Sequence, residues 1–404
     1  MRSGGDLRGS LGPARVVATG VSCIVGAGIY LSLGDLVGPL GPFVVLALVL
    51  AGLACGLTAL SYARFAARFP EAGSAFSYIR QAYGPRAGWM TGWTLILEYT
   101  VGAGAVVALW SYLIEKEFGW PQPIVILISM TVVTGLVMAG IELWSWVTVT
   151  LVVLKVGTLL LFCALAAVGP AAEGPIGYGF TPGEFLRVAG MAVFSFLGFE
   201  SVSTLAQETG NPKRDMPIGI LGSLLLATLL YVAVAGLYVR VTPQADWGSA
   251  NPLAGALGRL GYAGLRPLVT GSVVIGLSTV AMAMVVGQTR ILYSMARDGL
   301  GPAAFGEVHP RFGTPWKGTL AVAFAVTGLA LAAPGNLLYS VAIVGTLSVF
   351  TAVALAGTNR WLGWPAAAIN LALMAGLGWE AWAATAVWIT IGWFTYRFTY
   401  KEQR

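Results

Sequence analysis

The sequence predicts an all-α protein that crosses a membrane twelve times. Hydrophobic residues make up 57% of the 404 residues, only 10% are charged, and the mean hydropathy is +0.79. Soluble domains carry roughly 25% charged residues. Apolar runs of about 20 residues, the length that spans a bilayer as a helix, recur along the whole chain. Because many similar runs follow the first one, we do not interpret it as a cleaved signal.

Each apolar run between two polar loops predicts one membrane helix. Lysine and arginine concentrate in alternate loops, which places these loops and both termini in the cytoplasm under the positive-inside rule. We therefore expect one transmembrane domain over residues 1–404, located in the cell membrane. The predicted helices cover residues 14–34, 41–66, 86–112, 123–141, 145–168, 184–207, 217–240, 266–294, 318–333, 336–357, 362–378 and 380–397.

The chain has few residues suited to metal binding or to catalysis by a nucleophile and a base. The three cysteines, Cys23, Cys55 and Cys163, lie in apolar runs without the spacing of a metal cluster or a disulfide framework, and the only histidine, His309, lies in a loop. We therefore expect no metal, no cofactor and no enzymatic activity. The basic residues flank membrane helices, which does not predict nucleic-acid binding, and no feature requires a protein partner.

The first predicted helix contains the stretch "IVGAGIY", residues 24–30, in which Gly26 and Gly28 flank Ala27 at mid-membrane. Glycine inside a helix costs about 1 kcal/mol relative to alanine. The pattern therefore indicates either close packing of helices or a break in the helix. A break would free N–H and C=O groups that must face a cavity or a ligand instead of lipid. The N–H groups that start the second half-helix would attract an anion.

The sixth predicted helix, in "AVFSFLGFESVSTLAQE", has a corresponding weak point. Gly198 lies at mid-membrane, and Glu200 follows it as an intramembrane carboxyl group. Interrupted helices in corresponding positions of two halves indicate a transporter built from inverted repeats. Repeat one would cover residues 14–168 and repeat two 184–357, with two additional helices over 362–397. A zwitterion fits two such breaks, since N–H groups would hold its carboxylate and carbonyl groups its ammonium.

Four motifs, in and beside the first nine helices, resemble the amino acid–polyamine–organocation (APC) transporter superfamily, and most closely the bacterial relatives of its cationic amino acid transporter branch. The resemblance implies secondary active transport of amino acids. It also implies a leucine-transporter-type fold, a 5+5 inverted repeat with broken helices 1 and 6. The motifs are "VGAGIY", "FPEAGSAFSYIRQAYGPRAGWMTGW", "FSFLGFESVSTLAQETGNPKRDMPIGI" and "GQTRILYSMARDGLGPAAFGEVHPRFGTP".

The resemblance implies a substrate site at the two breaks. The substrate carboxylate would meet backbone N–H groups of the first break, and its amino group would meet carbonyl groups just before both breaks. The ring of Phe194 would cover the substrate. Many members of the superfamily have serine where this chain has Ala27, so a hydroxyl contact is missing here. The residues that the resemblance assigns to the substrate are Ile24, Gly26, Ala27, Gly28, Phe194, Leu197 and Gly198.

Lys155, in "TVTLVVLKVGTLLLF", lies too far from either end of the fifth helix to reach the headgroups easily. A charge at this depth is costly and usually functional. The resemblance implies that this ammonium replaces the sodium ion of sodium-coupled proteins of the same fold, near the first break and Ser278 or Thr279. Lys155 would then be the proton site; a fixed charge that only stabilises the break is the alternative. Glu98 and Glu200 are further candidates for proton coupling, or are protonated and merely hydrogen-bonded.

We therefore expect a transporter that imports L-amino acids together with protons. The expected lining is apolar, which favours small or medium neutral substrates such as alanine or branched-chain amino acids. Arginine, lysine or ornithine is the alternative substrate, and obligate exchange is the alternative mechanism. The expected partners are the amino acid, the proton and the lipid bilayer. The lining residues are Phe194, Leu197, Phe199, and Met282 or Met284.

Overall fold

The structure is a computed structural model that describes residues 11–30, 32–69, 71, 73–173, 179–249, 251–357 and 360–399. Within these ranges the chain is helical, and its only β-type pairing is an isolated parallel bridge between Leu11 and Thr209. The side chains of Ala27, residues 141–149, Glu208 and Arg360 lie outside the described part. The all-α prediction is therefore confirmed for the described residues.

The described residues form α-helices connected by short 3₁₀ segments. Several helices have proline in the first turn, where the missing N–H group has no intrahelical partner to lose. The helices are α1 Pro13–Ile24, α2 Ala27–Tyr30, α3 Ser32–Leu40, α4 Val44–Arg68, α5 Ala75–Tyr83, α6 Pro85–Phe118, α7 Gln122–Met138, α8 Ile141–Val168, α9 Pro182–Ala192, α10 Pro212–Val241, α11 Pro252–Arg259, α12 Arg266–Arg297, α13 Trp316–Ala332, α14 Gly335–Ala356, α15 Arg360–Ala375 and α16 Trp379–Thr399.

Seven helical segments in the described part are long and apolar enough to cross a membrane, or eight if a bent pair counts as one span. The bent pair is α15 and α16, whose axes differ by 119° across a short break. Three further apolar helices, α1, α7 and α13, are shorter than 18 residues. The chain is thus a multi-pass membrane protein, and the count of twelve spans stays a prediction.

The first predicted helix is interrupted at the glycine-rich stretch. Helix α1 ends at Ile24, Val25 is extended with φ −73° and ψ 105°, and α2 begins at Ala27. The N–H group of Val25 still bonds to the carbonyl oxygen of Val21, at 2.8 Å. Gly26 is buried, so the interrupted backbone lies inside the protein and not against lipid.

The sixth predicted helix is interrupted as well. Helix α9 ends at Ala192, and a 3₁₀ segment, Val193–Phe196, follows it. Leu197 then becomes extended, and Gly198 has φ +116°, a backbone conformation that favours glycine. A second 3₁₀ segment, Ser201–Glu208, continues the chain towards α10.

The two interruptions lie next to each other inside the bundle. Helix α1 packs against α8, α10 and α12, and α2 contacts both α12 and the 3₁₀ segment after α9. Helix α6 packs against α12 and α14. Three helices, α8, α10 and α12, and the second interruption therefore pack against the first broken helix.

Two short helices lie in segments that the hydropathy pattern identified as loops. Helix α5 lies between α4 and α6, and α11 lies between α10 and α12. Of these two, only α11 was not expected from the sequence. Helix α5 nevertheless buries Phe76, Tyr78 and Ile79, so it belongs to the packed bundle.

Candidate functional site

Glycine residues allow the two interrupted segments to approach each other closely. A Cβ atom at Gly28 would overlap both the backbone and the side chain of Ser195, so only glycine fits at this point. A Cβ atom at Gly26 would overlap the side chain of Val280 on α12 and would lie 3.2 Å from the carbonyl oxygen of Gly276. The glycines therefore permit both the break and the close approach of α12. The backbone of Ala27 begins α2, where the first N–H groups of a helix have no intrahelical acceptor.

At the second interruption, Gly198 packs against the backbone of α1. A Cβ atom there would lie 2.7 Å from the carbonyl carbon and oxygen of Cys23. The N–H group of Gly198 donates to both carboxyl oxygens of Glu200, at 3.1 and 2.9 Å. Glu200 is buried, with 2% of its surface exposed. Its carboxyl group therefore serves as a local cap on the irregular backbone.

Lys155 contacts both halves of the first broken helix. Its Nζ atom donates to the carbonyl oxygen of Ser22 on α1 at 2.5 Å and to the hydroxyl oxygen of Thr279 on α12 at 2.7 Å. Its own carbonyl oxygen accepts a hydrogen bond from the hydroxyl group of Tyr30 on α2 at 2.6 Å. The side chain of Lys155 is fully buried. Of the two neighbours expected on α12, the structure places Thr279 at the amine.

The carbonyl groups expected to receive an ammonium already have protein partners. The carbonyl oxygen of Ile24 accepts a hydrogen bond from the hydroxyl group of Tyr231 on α10, at 2.8 Å. The carbonyl oxygen of Phe194 accepts one from the N–H group of Leu197, at 3.3 Å. A carbonyl oxygen has two lone pairs, so each can accept a second donor. Sequence reasoning missed Tyr231; its only signal was a tyrosine within an apolar helix.

The ring of Phe194 packs against a tyrosine of α14 in a tilted arrangement. Its centroid lies 4.3 Å from that of Tyr339 on α14, and the Tyr339 hydroxyl group donates to the carbonyl oxygen of Met191 at 2.9 Å. Phe194 and Leu197 are both almost fully buried. The aromatic group expected to cover the substrate is therefore fixed between the second interruption and α14.

Glu98 lies on α6, with its backbone and Cβ close to Gly345 of α14. It is 3% exposed, and its Oε2 atom has no hydrogen-bond partner among the described residues. Within the same part of the chain, no hydrogen bond or ion pair joins Glu98 or Glu200 to Lys155. The described residues also include no group of three or more side chains able to hold a metal ion.

The arrangement brings three kinds of group to one buried location. The start of α2 offers backbone N–H groups, the carbonyls beside the breaks offer lone pairs, and Lys155 offers an amine that can exist with or without a proton. Such a set can bind a ligand that carries both an anionic and a cationic end, and can exchange a proton beside it.

Comparison with known proteins gives consistent matches along almost the whole chain. The family model described as amino acid permease matches residues 16–403. The branched-chain amino acid permease BcaP of Bacillus subtilis is 31% identical, and the alignment covers 98% of this chain and 94% of BcaP. The methylthioribose transporter of the same bacterium is 28% identical, with coverages of 95% and 91%.

A plant protein matches over a smaller share of its own length. The vacuolar cationic amino acid transporter 4 of Arabidopsis thaliana is 31% identical, covering 86% of this chain and 62% of its own. The resemblance to the APC superfamily is thereby confirmed. Because the family model covers nearly every residue and two bacterial relatives align over more than nine-tenths of both chains, the chain belongs to the amino acid permease family of the APC superfamily.

Proposed function

We propose that this permease is a secondary active transporter that imports neutral L-amino acids together with protons by alternating access. The observation that carries this proposal is the position of Lys155. A fully buried amine is bonded to Ser22 in the last turn of α1, just before the first interruption, where the ligand-binding backbone would lie. A buried charge with so few partners is costly, and such groups in membrane proteins commonly mark ion or proton pathways.

The substrate carboxylate would be held by the N–H groups of Gly26, Ala27 and Gly28. Its ammonium would be held by the second lone pairs of the carbonyls of Ile24 and Phe194, and by the carbonyl of Leu197 beside Gly198. The close packing at Gly28 and Gly198 supports this proposal, because it keeps both irregular backbones side by side.

Lys155 would take up a proton from one side of the membrane and release it on the other. In its protonated form it would strengthen its bond to the Ser22 carbonyl, since bonds from charged donors are about twice as strong as neutral ones. The alternative role is a permanent charge that only fixes the break. Glu200 is engaged with the N–H group of Gly198, which favours a structural role for it. Glu98, with one carboxyl oxygen that has no hydrogen-bond partner among the described residues, is the second candidate for proton exchange.

A neutral substrate is favoured by the apolar and aromatic side chains beside the breaks, including Phe194, Leu197 and Phe199. BcaP, which aligns over nearly its full length, is named for branched-chain amino acids. The Oε2 atom of Glu98, which has no partner in the described part of the chain, would accept a hydrogen bond from a cationic side chain, and the plant relative is named for cationic amino acids. A cationic substrate is therefore the second candidate, and obligate exchange is the alternative mechanism.

The proposal includes the architecture that alternating access requires. Twelve membrane helices would form two inverted repeats over residues 14–168 and 184–357, followed by two additional helices over 362–397. The protein would lie in the plasma membrane, and both of its termini would face the cytoplasm. The adjacent interruptions in α1–α2 and after α9 support this arrangement, because each would belong to one repeat.

Uptake of radiolabelled amino acids into proteoliposomes tests the proposal. Wild-type protein is assayed with alanine, branched-chain amino acids, arginine and lysine under an inward proton gradient, a sodium gradient, or neither. Accumulation of a neutral amino acid driven by protons alone is the expected result. Uptake that requires internal amino acid and ignores both gradients would identify an exchanger, and selective uptake of arginine or lysine would establish the cationic alternative.

A further inference from the structure

A pocket lies between the end of α10, the short helix α11 and the start of α12. Its volume is about 390 Å³, within the roughly 300–1,000 Å³ typical of small-ligand sites. Helix α12 has 32 residues and rises about 1.5 Å per residue, which separates its two ends by about 48 Å. The pocket is therefore at the opposite end of the bundle from Asp298, which follows the last residue of α12.

The pocket wall contains separated charges of both signs. Arg259 and Asp246 line the pocket and form an ion pair with each other. Arg266, also in the lining, pairs with Glu117 at the end of α6, at 2.9 Å. The two guanidinium groups are thus balanced by two carboxylates. A ligand with no net charge leaves this balance intact, whereas a free phosphate ion would add uncompensated negative charge.

The ion pair between Arg259 and Asp246 is inexpensive to open. The side chains of Arg259 and Asp246 are 46% and 40% exposed, and ion pairs at such positions contribute only about 0–1 kcal/mol. Each guanidinium has five N–H donors in a planar fork that suits an oxyanion. The hydroxyl group of Thr242 is buried in the same wall beside the Tyr238 phenol.

We propose that this pocket binds a small zwitterion that combines a primary ammonium with an oxyanion. The oxyanion accepts hydrogen bonds from Arg259 and Arg266, while the ammonium donates to the carboxylate of Asp246. Two sources share this chemistry: a free amino acid and the phosphoethanolamine headgroup of a lipid. Binding here does not require that the protein transports amino acids, so it can be tested on purified protein.

Occupation of the pocket would act on the first broken helix. The loop between α10 and α11 forms part of the pocket through Asp246 and Ser249, and its backbone lies directly on α3. A Cβ atom at Gly34 of α3 would lie 2.5 Å from the carbonyl oxygen of Ser249 and 3.2 Å from that of Trp247. A ligand that binds this loop more tightly in its present conformation than in others therefore stabilises the present position of α3. This effect on transport rests on the proposed function.

Binding of radiolabelled glycerophosphoethanolamine to detergent-purified protein tests the inference. Wild type should bind it saturably, and glycerophosphocholine should bind at least tenfold more weakly, because its quaternary ammonium has no N–H group to donate to Asp246. The double variant Asp246→Asn/Arg259→Gln should weaken binding at least tenfold. Arg266→Gln, at a more exposed position, provides a second variant if the first does not fold.

The matched control removes an ion pair elsewhere. Lys317 and Glu307 form a half-exposed pair at 2.6 Å near the start of α13, and Lys317→Gln/Glu307→Gln should leave binding unchanged. Displacement of the label by L-alanine identifies a free amino acid as the ligand, and displacement by phosphatidylethanolamine but not phosphatidylcholine in the micelle identifies the lipid. Absence of saturable binding in wild type, or equal binding in wild type and both pocket variants, would overturn the inference.

Discussion

Replacing Lys155 by methionine should abolish proton-driven accumulation while leaving the protein folded. Lys155 is the only buried lysine in the described part of the chain, so we expect one proton for each amino acid. One pH unit corresponds to 1.36 kcal/mol, which supports about tenfold accumulation at a stoichiometry of one. Wild-type proteoliposomes with a one-unit inward gradient should therefore approach tenfold accumulation, and Lys155→Met vesicles should only equilibrate.

The structure also limits how much stability this substitution removes. The carbonyl oxygen of Ser22 loses its Nζ donor, and an orphaned buried acceptor costs about 1–3 kcal/mol. Removing a buried charge offsets part of this loss. Thr279 still donates to the carbonyl oxygen of Gly276, so its own hydroxyl proton keeps a partner. The variant should thus unfold at a moderately lower temperature and retain equilibrium substrate binding.

A control variant tests whether the loss of any lysine, and not only of Lys155, lowers accumulation. Lys317→Met removes a partly exposed lysine in a loop ion pair and should accumulate substrate like wild type. Accumulation by Lys155→Met that still scales with the pH gradient would refute the assignment of the proton to Lys155. The residue would then be a fixed charge that stabilises the break.

Two further predictions concern other parts of the bundle. Gly28→Val should eliminate substrate binding, measured as the loss of ligand-induced thermal stabilisation, because its side chain overlaps Ser195; Gly56→Val, at a glycine with open space around it, should bind normally. Arg80→Gln removes the guanidinium 3.1 Å from Asp298, and the pair should contribute about 0.2–1 kcal/mol. Burial raises the pKa of Asp298 and Arg80 opposes this rise, so the stability difference should exist above that pKa and disappear as the pH falls through it; a difference independent of pH would contradict this reasoning.

The interruptions could be located from the sequence because glycine has a local effect. Gly26 and Gly198 weaken a helix wherever the helix packs, and the structure interrupts both helices at these residues. The depth of Lys155 in its apolar run was equally visible, and a buried amine must find partners. Its carbonyl acceptor, Ser22, could not be identified, because the sequence does not show which carbonyl near the first break faces α8.

The contacts between distant residues could not be predicted in the same way. Tyr231 reaches the Ile24 carbonyl across 207 residues of chain, and nothing in its local pattern distinguishes it from a lipid-facing tyrosine. Helix α11 was missed because its small, mixed residues lack an apolar period long enough to suggest a helix. The number of spans also depends on tertiary structure, since α1, α7 and α13 are short when taken alone.

Of the two hydrogen bonds between Lys155 and the first broken helix, only one depends on the protonation of the amine. The bond to α1 comes from a side-chain amine, whose strength changes when the proton leaves. In the bond to α2, the hydroxyl group of Tyr30 donates to the main-chain carbonyl oxygen of Lys155, and this bond does not depend on the proton of the amine. Deprotonation would therefore weaken the bond to α1 and leave the bond to α2 unchanged. A Tyr30→Phe substitution would instead remove the bond to α2 and leave the bond to α1 in place.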